Sequence, residues 1–242
     1  MSRYTLDMCG RFTLTVDNVE LVAENLGIAV SEVFDERYGP RYNIAPMQET
    51  WVARLDGEER VAMPATWGLV NWWEPARREG AKYINARAES LTSRRPFRDA
   101  FQATRCIVPA DGFFDWVGDA KERRPFWFHR PDGNVFAFAG LYVEARLRSE
   151  ATPTTTFTII TPTANGIVAP VHDRMPVILA DDDAIEAWLY PKQSTERLIE
   201  MLRPAREDFL IATAVSTRVN SVANDDRACL DEAEPETQGS LL

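Results

Sequence analysis

The chain has 242 residues, 45% of them hydrophobic and 26% charged, which suits a soluble globular domain with one well-packed core. No apolar run approaches the roughly 20 residues that span a bilayer, and residues 1–7 lack the apolar stretch of a secretory signal, so the expected place is the cytoplasm, away from membranes. Three cysteines, at 9, 106 and 229, and two histidines are too few and too scattered for a disulfide framework or a zinc site, so no metal and no cofactor is expected.

The net charge of −10 argues by itself against a nucleic-acid partner, because phosphate contacts need Lys and Arg. Its distribution qualifies that. Residues 1–130 carry 18 basic and 19 acidic side chains, whereas residues 131–242 carry 9 and 18. Between Ala76 and Arg105, eight basic residues face three acidic ones. Such a stretch is either a solvated charged face or a basic patch on an acidic body.

In chain order, residues 1–7 read as a short extension. Val19, Val22, Ala23 and Leu26 recur at helical spacing after Asp17, a plausible cap, and predict a helix. Short runs rich in β-branched and aromatic residues predict strands over Glu49–Leu55, Val61–Trp67, Arg105–Pro109, Phe126–Arg130, Val135–Val143, Thr156–Thr161, Pro176–Leu179 and Phe209–Val215. Helices are expected over Asp182–Leu189 and Thr195–Leu202, the second stopped by Pro204. Cys229–Leu242 is acidic and aperiodic and reads as a disordered tail. Strands outnumber helices without βαβ alternation. The expected fold is therefore α+β, a single domain at 8–228 around a curved, barrel-like, mainly antiparallel sheet with a few peripheral helices.

Several residues can carry chemistry, and each also has an ordinary structural reading. Cys9, in Met8-Cys9-Gly10-Arg11, is either a small buried hydrophobe or, with Met8 as initiator, a terminal 1,2-aminothiol. Such an amine condenses with an aldehyde to an imine, and the thiol then closes a five-membered thiazolidine ring. The amine titrates near 8 and the thiol near 8.5, so part of the amine is neutral at neutral pH. His172 is either structural or a proton carrier. Asp115, among Phe113, Phe114 and Trp116, is either a turn or edge residue facing water or a proton-transfer group, since a carboxylate among aromatics is costly to bury. Asn85, Arg87 and Glu89 bring an amide, a guanidinium and a carboxylate together in the basic stretch, for a phosphate contact or a salt-bridged surface. Trp72 and Trp73, if on a strand, point to opposite faces, one toward the core and one available for stacking on a single-stranded base.

Taken together, these segments resemble the SOS-response-associated peptidase family, the abasic-site processing proteins. The resemblance rests on Met8-Cys9-Gly10-Arg11, Arg41 to Pro46, Trp67-Gly68-Leu69, Ile84 to Glu89, Arg105-Cys106-Ile107, Gly112 to Trp116, His172 to Pro176, and Val215-Ser216 with Val219-Asn220, in this order. It implies a protein that forms a covalent thiazolidine between its N-terminal cysteine and the ring-opened abasic sugar in single-stranded DNA, shielding the lesion in the DNA-damage response. Cys9 matches the nucleophile. Asn85 matches the amide that orients cysteine and sugar, and His172 the histidine linked to ring opening and to reversal of the crosslink. Arg11, Asn43, Arg87 and Arg174 match positions that hold the DNA backbone, and Trp72 and Trp73 fall where aromatics lie beside the lesion. A monomer acting on single-stranded DNA is expected.

Two features depart from the family pattern. Asp115 stands where Glu is usual, one methylene shorter. Residues 1–7 precede Met8, and while they remain attached the Cys9 nitrogen is an amide that cannot form an imine. The alternative reading is a cysteine peptidase with Cys9 as nucleophile and His172 as base, with proteolysis limited to release of its own N-terminus. A third is a non-covalent single-strand binder.

Overall fold

Five strands close on themselves: β4 (Glu49–Asp56), β5 (Glu59–Trp67), β11 (Thr154–Thr161), β10 (Phe136–Ala145) and β7 (Arg105–Ala110) form a barrel in which each pairs with two others. The description comes from a computed structural model and covers residues 10–74, 76–119, 122–146 and 152–233, without the side chains of 77 and 78. Met8, Cys9, the extension expected at 1–7 and residues 234–242 lie outside the described residues. Four of the five barrel pairings are antiparallel and one, β5 with β11, is parallel, so the sheet is mixed. β7 is buried along its whole length, as expected of a strand covered on both faces.

A second, antiparallel sheet runs in the order β13 (Ile211–Ala214), β9 (Arg124–His129), β8 (Gly112–Val117), β1 (Arg11–Leu14) and β3 (Arg41–Ile44). It packs on the barrel through aromatic rings. Phe12 of β1 meets Trp67 of β5 and Phe138 of β10 edge to face, with centroids 5.2 and 5.8 Å apart. Phe113 of β8 stacks on Phe128 and also meets Phe138. Each buried ring removes on the order of 150 Å² of apolar surface from water, the main force joining the two layers. The smaller strands complete the barrel's periphery: β2 (Ile28–Ala29) beside β5, β6 (Asn85–Arg87) parallel to β11, and β12 (Ile178–Leu179) beside β10.

Among the described residues, five α-helices pack around the sheets. α1 (Val19–Leu26) buries the four residues whose spacing predicts it, but its cap is Asn18, which accepts from Leu21 N, and not Asp17. α4 (Asp182–Leu189) matches its expected span, and α5 (Thr195–Met201) ends one residue early. α2 (Glu32–Arg37) and α3 (Arg95–Ala103) have no counterpart in the expected elements. α3 buries Phe97, Ala100 and Phe101 beneath an otherwise polar surface. The expected strand at Pro176–Leu179 shrinks to Ile178–Leu179, and Phe209–Val215 to Ile211–Ala214. The tail boundary moves as well. Arg227–Leu230 form a 3-10 turn, Cys229 is buried with Phe114, Val215 and Val219, and Glu232 bridges Val215. Among the described residues no helix is long and apolar enough to cross a membrane.

β8 approaches β9 closely at Gly112. A Cβ there would stand 2.0 Å from Trp127 Nε1 and 3.0 Å from the Phe128 carbonyl oxygen. Gly112→Ala should therefore push β8 off β9. The expected loss is about 2 kcal/mol, read as a fall of about 4–8 °C in Tm for a chain of this size. An unchanged Tm would show that the contact yields without cost.

Candidate active site

Strand alternation gives β1 and β8 one face toward the barrel core and an opposite face. On β1, Phe12 and Leu14 enter the main core, while Arg11 and Thr13 point the other way. Antiparallel pairing sets Arg11 opposite Phe114, Phe12 opposite Phe113 and Thr13 opposite Gly112. Asp111, just before β8, locks this register. Its Oδ1 accepts from Thr13 Oγ1 at 2.6 Å, and its Oδ2 accepts from the Thr15 hydroxyl at 2.6 Å and from the Thr15 amide. Burial raises the Asp111 pKa, and these three donors oppose the rise.

Farther along β8, Asp115 lies on the Phe113 side of the strand with only 8% of its side chain exposed. Its Oδ1 accepts from Trp116 N at 3.0 Å. Its buried Oδ2 has no hydrogen-bond partner among the described residues and lies 4.0 Å from His172 Nδ1. Burial pushes the carboxyl pKa up to about 6, against the opposing pull of His172. The 4.0 Å separation is too long for a direct hydrogen bond but short enough for one oxygen to bridge both groups.

His172 ends a short looped segment that follows β11. Its own amide donates to Val168 O, and the segment closes by a bridge between Thr163 and Arg174. His172 Nδ1 accepts from Arg174 N at 2.9 Å, so the neutral ring carries its proton on Nε2. Asp173 Oδ1 is 3.2 Å from the same Nδ1, on a side chain that is 86% exposed. A carboxyl group that is protonated in mildly acidic solution thus stands beside an imidazole that can take up or release a proton, which suits general acid–base chemistry.

β6 supplies the next group. Asn85 is buried opposite Ile159 of β11, and Arg87 is exposed opposite Thr161. In the following 3-10 turn, Glu89 grips Arg174 in bidentate fashion, Oε2 to Nη1 at 2.8 Å and Oε1 to Nη2 at 2.6 Å. The hydrogen bond from Arg174 holds the Glu89 carboxyl down at about 2, with a smaller contribution from Arg87. The backbone N–H of Arg174 holds His172, and its side chain is held by Glu89.

The structure turns Arg11 and Asn43 inward. Arg11 Nη1 donates to Asn43 Oδ1 at 2.9 Å and to Val219 O at 2.8 Å. Asn43 is fully buried, and its Nδ2 donates to the carbonyls of Val219, Ser221 and Asn224. Both side chains tie the 217–225 segment to β1 and β3, so Asn43 presents no surface to a ligand here. Arg105, at the end of the basic stretch, is likewise structural, donating to the carbonyls of Phe101, Gln102, Trp188 and Tyr190. Trp72 and Trp73 occupy a turn after β5 and not a strand. They meet edge to face at 5.5 Å. Trp72 is 71% exposed, and the half-buried Trp73 lies under the Arg95 guanidinium at 4.4 Å. Neither ring is a core residue.

Sequence reasoning overlooked Arg123 and the stack it forms. Arg11 and Arg123 both lie over the Trp116 ring, at 5.6 and 5.0 Å, and Trp116 Nε1 donates to Asn220 Oδ1. The Arg123-Arg124 pair was the available signal, but only the hairpin between β8 and β9 brings it to Trp116. Among the described residues, no group of three His, Cys, Asp or Glu side chains is placed to hold a metal ion.

Residues 8–222 match the family described as SOS response associated peptidase (SRAP). The chain is 38% identical over 221 residues to the abasic site processing protein YoqW of Bacillus subtilis, an alignment covering 90% of this chain and 96% of that one. It is 30% identical over 226 residues to the abasic site processing protein HMCES of Gallus gallus, covering 80% of this chain and 66% of the relative. A crystal structure of a protein from Bacteroides thetaiotaomicron shares the fold, with a TM-score of 0.80 at 22% identity over 93% of this chain and all of the other. The chain belongs to the SOS response associated peptidase family.

Proposed function

We propose that this protein captures abasic sites in single-stranded DNA as a covalent thiazolidine on Cys9, once Cys9 has become the first residue. The observation that carries the reading is the buried Asp115 carboxyl beside His172 at the strand position next to where β1 begins. Continuing the β1–β8 register by one residue sets Gly10, the residue that follows Cys9 in sequence, opposite Asp115. The family match and the names of the abasic site processing relatives support the same reading.

The chemistry follows from these groups. The closed abasic sugar is a hemiacetal, and moving a proton from its hydroxyl to the ring oxygen releases the aldehyde; His172 serves this exchange. The neutral Cys9 amine adds to the aldehyde carbon. The resulting hydroxyl leaves as water with a proton from Asp115, and the nitrogen returns its proton to the Asp115 carboxylate, giving the neutral imine. The thiol sulfur then adds to the imine carbon while its proton passes to nitrogen, and the ring closes. The net change is aldehyde plus aminothiol to thiazolidine plus water. Asn85 orients the cysteine and sugar, Arg87 and Arg174 hold phosphates, and Trp72 stacks on a neighbouring base. Arg11 and Asn43 contribute by fixing the floor of the site. The protein acts as a monomer, and its activity is a lyase-like crosslinking reaction. Cys9 becomes the first residue either by translation from Met8 followed by removal of that methionine, or by autoproteolytic release of residues 1–8.

Crosslinking should survive heating in denaturant only for protein that begins at Cys9. A chain retaining residues 1–8, and Cys9→Ser or Cys9→Ala versions of the shortened chain, should bind the same single strand yet leave no band on a denaturing gel. A heat-stable adduct of similar yield from the Cys9→Ala protein would overturn the proposal.

Asp115 ties rate and stability to pH. Its carboxyl is protonated in the unfolded chain below about 3.9 and in the folded chain below about 6. The folded state therefore binds the proton more tightly, and stability falls as pH rises between these values. Asp115→Asn should be more stable than the wild type at pH 8, by about 3 kcal/mol, with the gap closing below pH 4. As proton donor, Asp115 should speed crosslinking most at pH 5–6, so Asp115→Ala should lose on the order of 100-fold there and less at pH 8. Asp115→Glu should retain most of the rate. Equal rates for wild type and Asp115→Ala across this range would remove Asp115 from the reaction.

A further inference from the structure

Arg174 is the guanidinium nearest His172 along the chain, yet its phosphate-binding edge is occupied. Two parallel N–H groups point at the two oxygens of Glu89, the fork geometry with which arginine also grips two oxygens of a phosphate. Nη1 also reaches Thr161 O at 3.4 Å, and only 14% of the Arg174 side chain is exposed. Glu89 is different: its side chain is 55% exposed and covers that edge from the solvent side. It sits on a three-residue turn immediately after exposed Arg87, whose charge also acts on it.

We propose that Glu89 is an internal stand-in for phosphate, a specificity-determining gate that DNA must displace before Arg174 can hold the backbone. This rests on the reading of Arg174 as a phosphate contact. The exchange is close to neutral for Arg174, which swaps one doubly bonded anion for another. It is unfavourable for Glu89, which is left as a free carboxylate beside the incoming phosphates. An undamaged strand must meet this cost from non-covalent contacts alone. A strand carrying an abasic site also gains the covalent bond to Cys9, so the gate weakens residence on intact DNA more than capture of the lesion.

The gate also predicts the salt dependence. A guanidinium that neutralises one phosphate on a single strand adds about 0.7 to the slope of log K against log salt. In the wild type, the carboxylate freed on binding recruits a cation and cancels that contribution.

The test is equilibrium binding of an undamaged single-stranded oligonucleotide across a salt series, using wild type, Glu89→Gln, Arg174→Ala and the double variant. Glu89→Gln should bind about five-fold tighter at low salt, with a slope steeper by about 0.7. Arg174→Ala should erase both effects, so the double variant behaves like Arg174→Ala alone. Weaker binding by Glu89→Gln with an unchanged slope would overturn the gate and make Glu89 a support that holds Arg174 in place. Failure of the underlying reading looks different: the double variant would bind as tightly as Glu89→Gln alone and with the same slope. Thermal unfolding of Glu89→Gln, expected within a degree or two of wild type because Glu89 is exposed and Arg174 keeps its bond to Thr161 O, separates a binding effect from a folding one.

Discussion

The antiparallel pairing of Arg11–Leu14 with Gly112–Val117 is the constraint on which the site depends. It uses each strand twice. One set of side chains, Phe12 and Phe113, builds the aromatic seam between sheet and barrel. The alternate positions turn Arg11 away from that seam toward Val219, whereas Asp115 lies on the seam side of β8. Asp111 prevents slippage, because a shift of one residue would take Thr13 and Thr15 from its oxygens and exchange the two faces of the strand. The stability of the fold and the placement of the chemistry therefore rest on one register.

The electrostatics follow from that placement. A carboxylate at Asp115 is buried with one oxygen lacking a described partner, which disfavours the charged form and moves its titration toward neutrality. His172 approaches from the other side, its tautomer set by the Arg174 amide. The site gives up folding stability at neutral pH to hold a carboxyl that exchanges protons there, a trade typical of functional positions. Asp115 Oδ2 stands 4.0 Å from His172 Nδ1.

Much of this was legible in the sequence, in a particular way. The barrel strands stand out because their burial makes them continuous runs of β-branched and aromatic residues, as in Thr154–Thr161. The site strands do not. Arg11–Leu14, Arg41–Ile44 and Asn85–Arg87 are short and carry polar residues on one face, so their periodicity is weak, though their motifs mark them as chemically important. α3 is hidden by Arg94, Arg95, Arg98 and Asp99, whose charges outweigh Phe97 and Phe101 in any composition-based reading. Side-chain direction could not be read at all. Arg11 and Asn43 fit a DNA-binding pattern by type, but tertiary contacts 176 to 208 residues away in sequence turn both toward the Val219 carbonyl.

In the proposed reaction the nitrogen and sulfur of Cys9, as residue one, together hold the abasic sugar. Tandem mass spectrometry of the purified adduct between native protein and an abasic single strand tests this most directly. The adduct should have the mass of protein plus DNA less one water and map to a peptide beginning at Cys9, with a sulfur that resists alkylation while the ring is intact. An adduct on a lysine, or one on a chain still carrying residues ahead of Cys9, would contradict it.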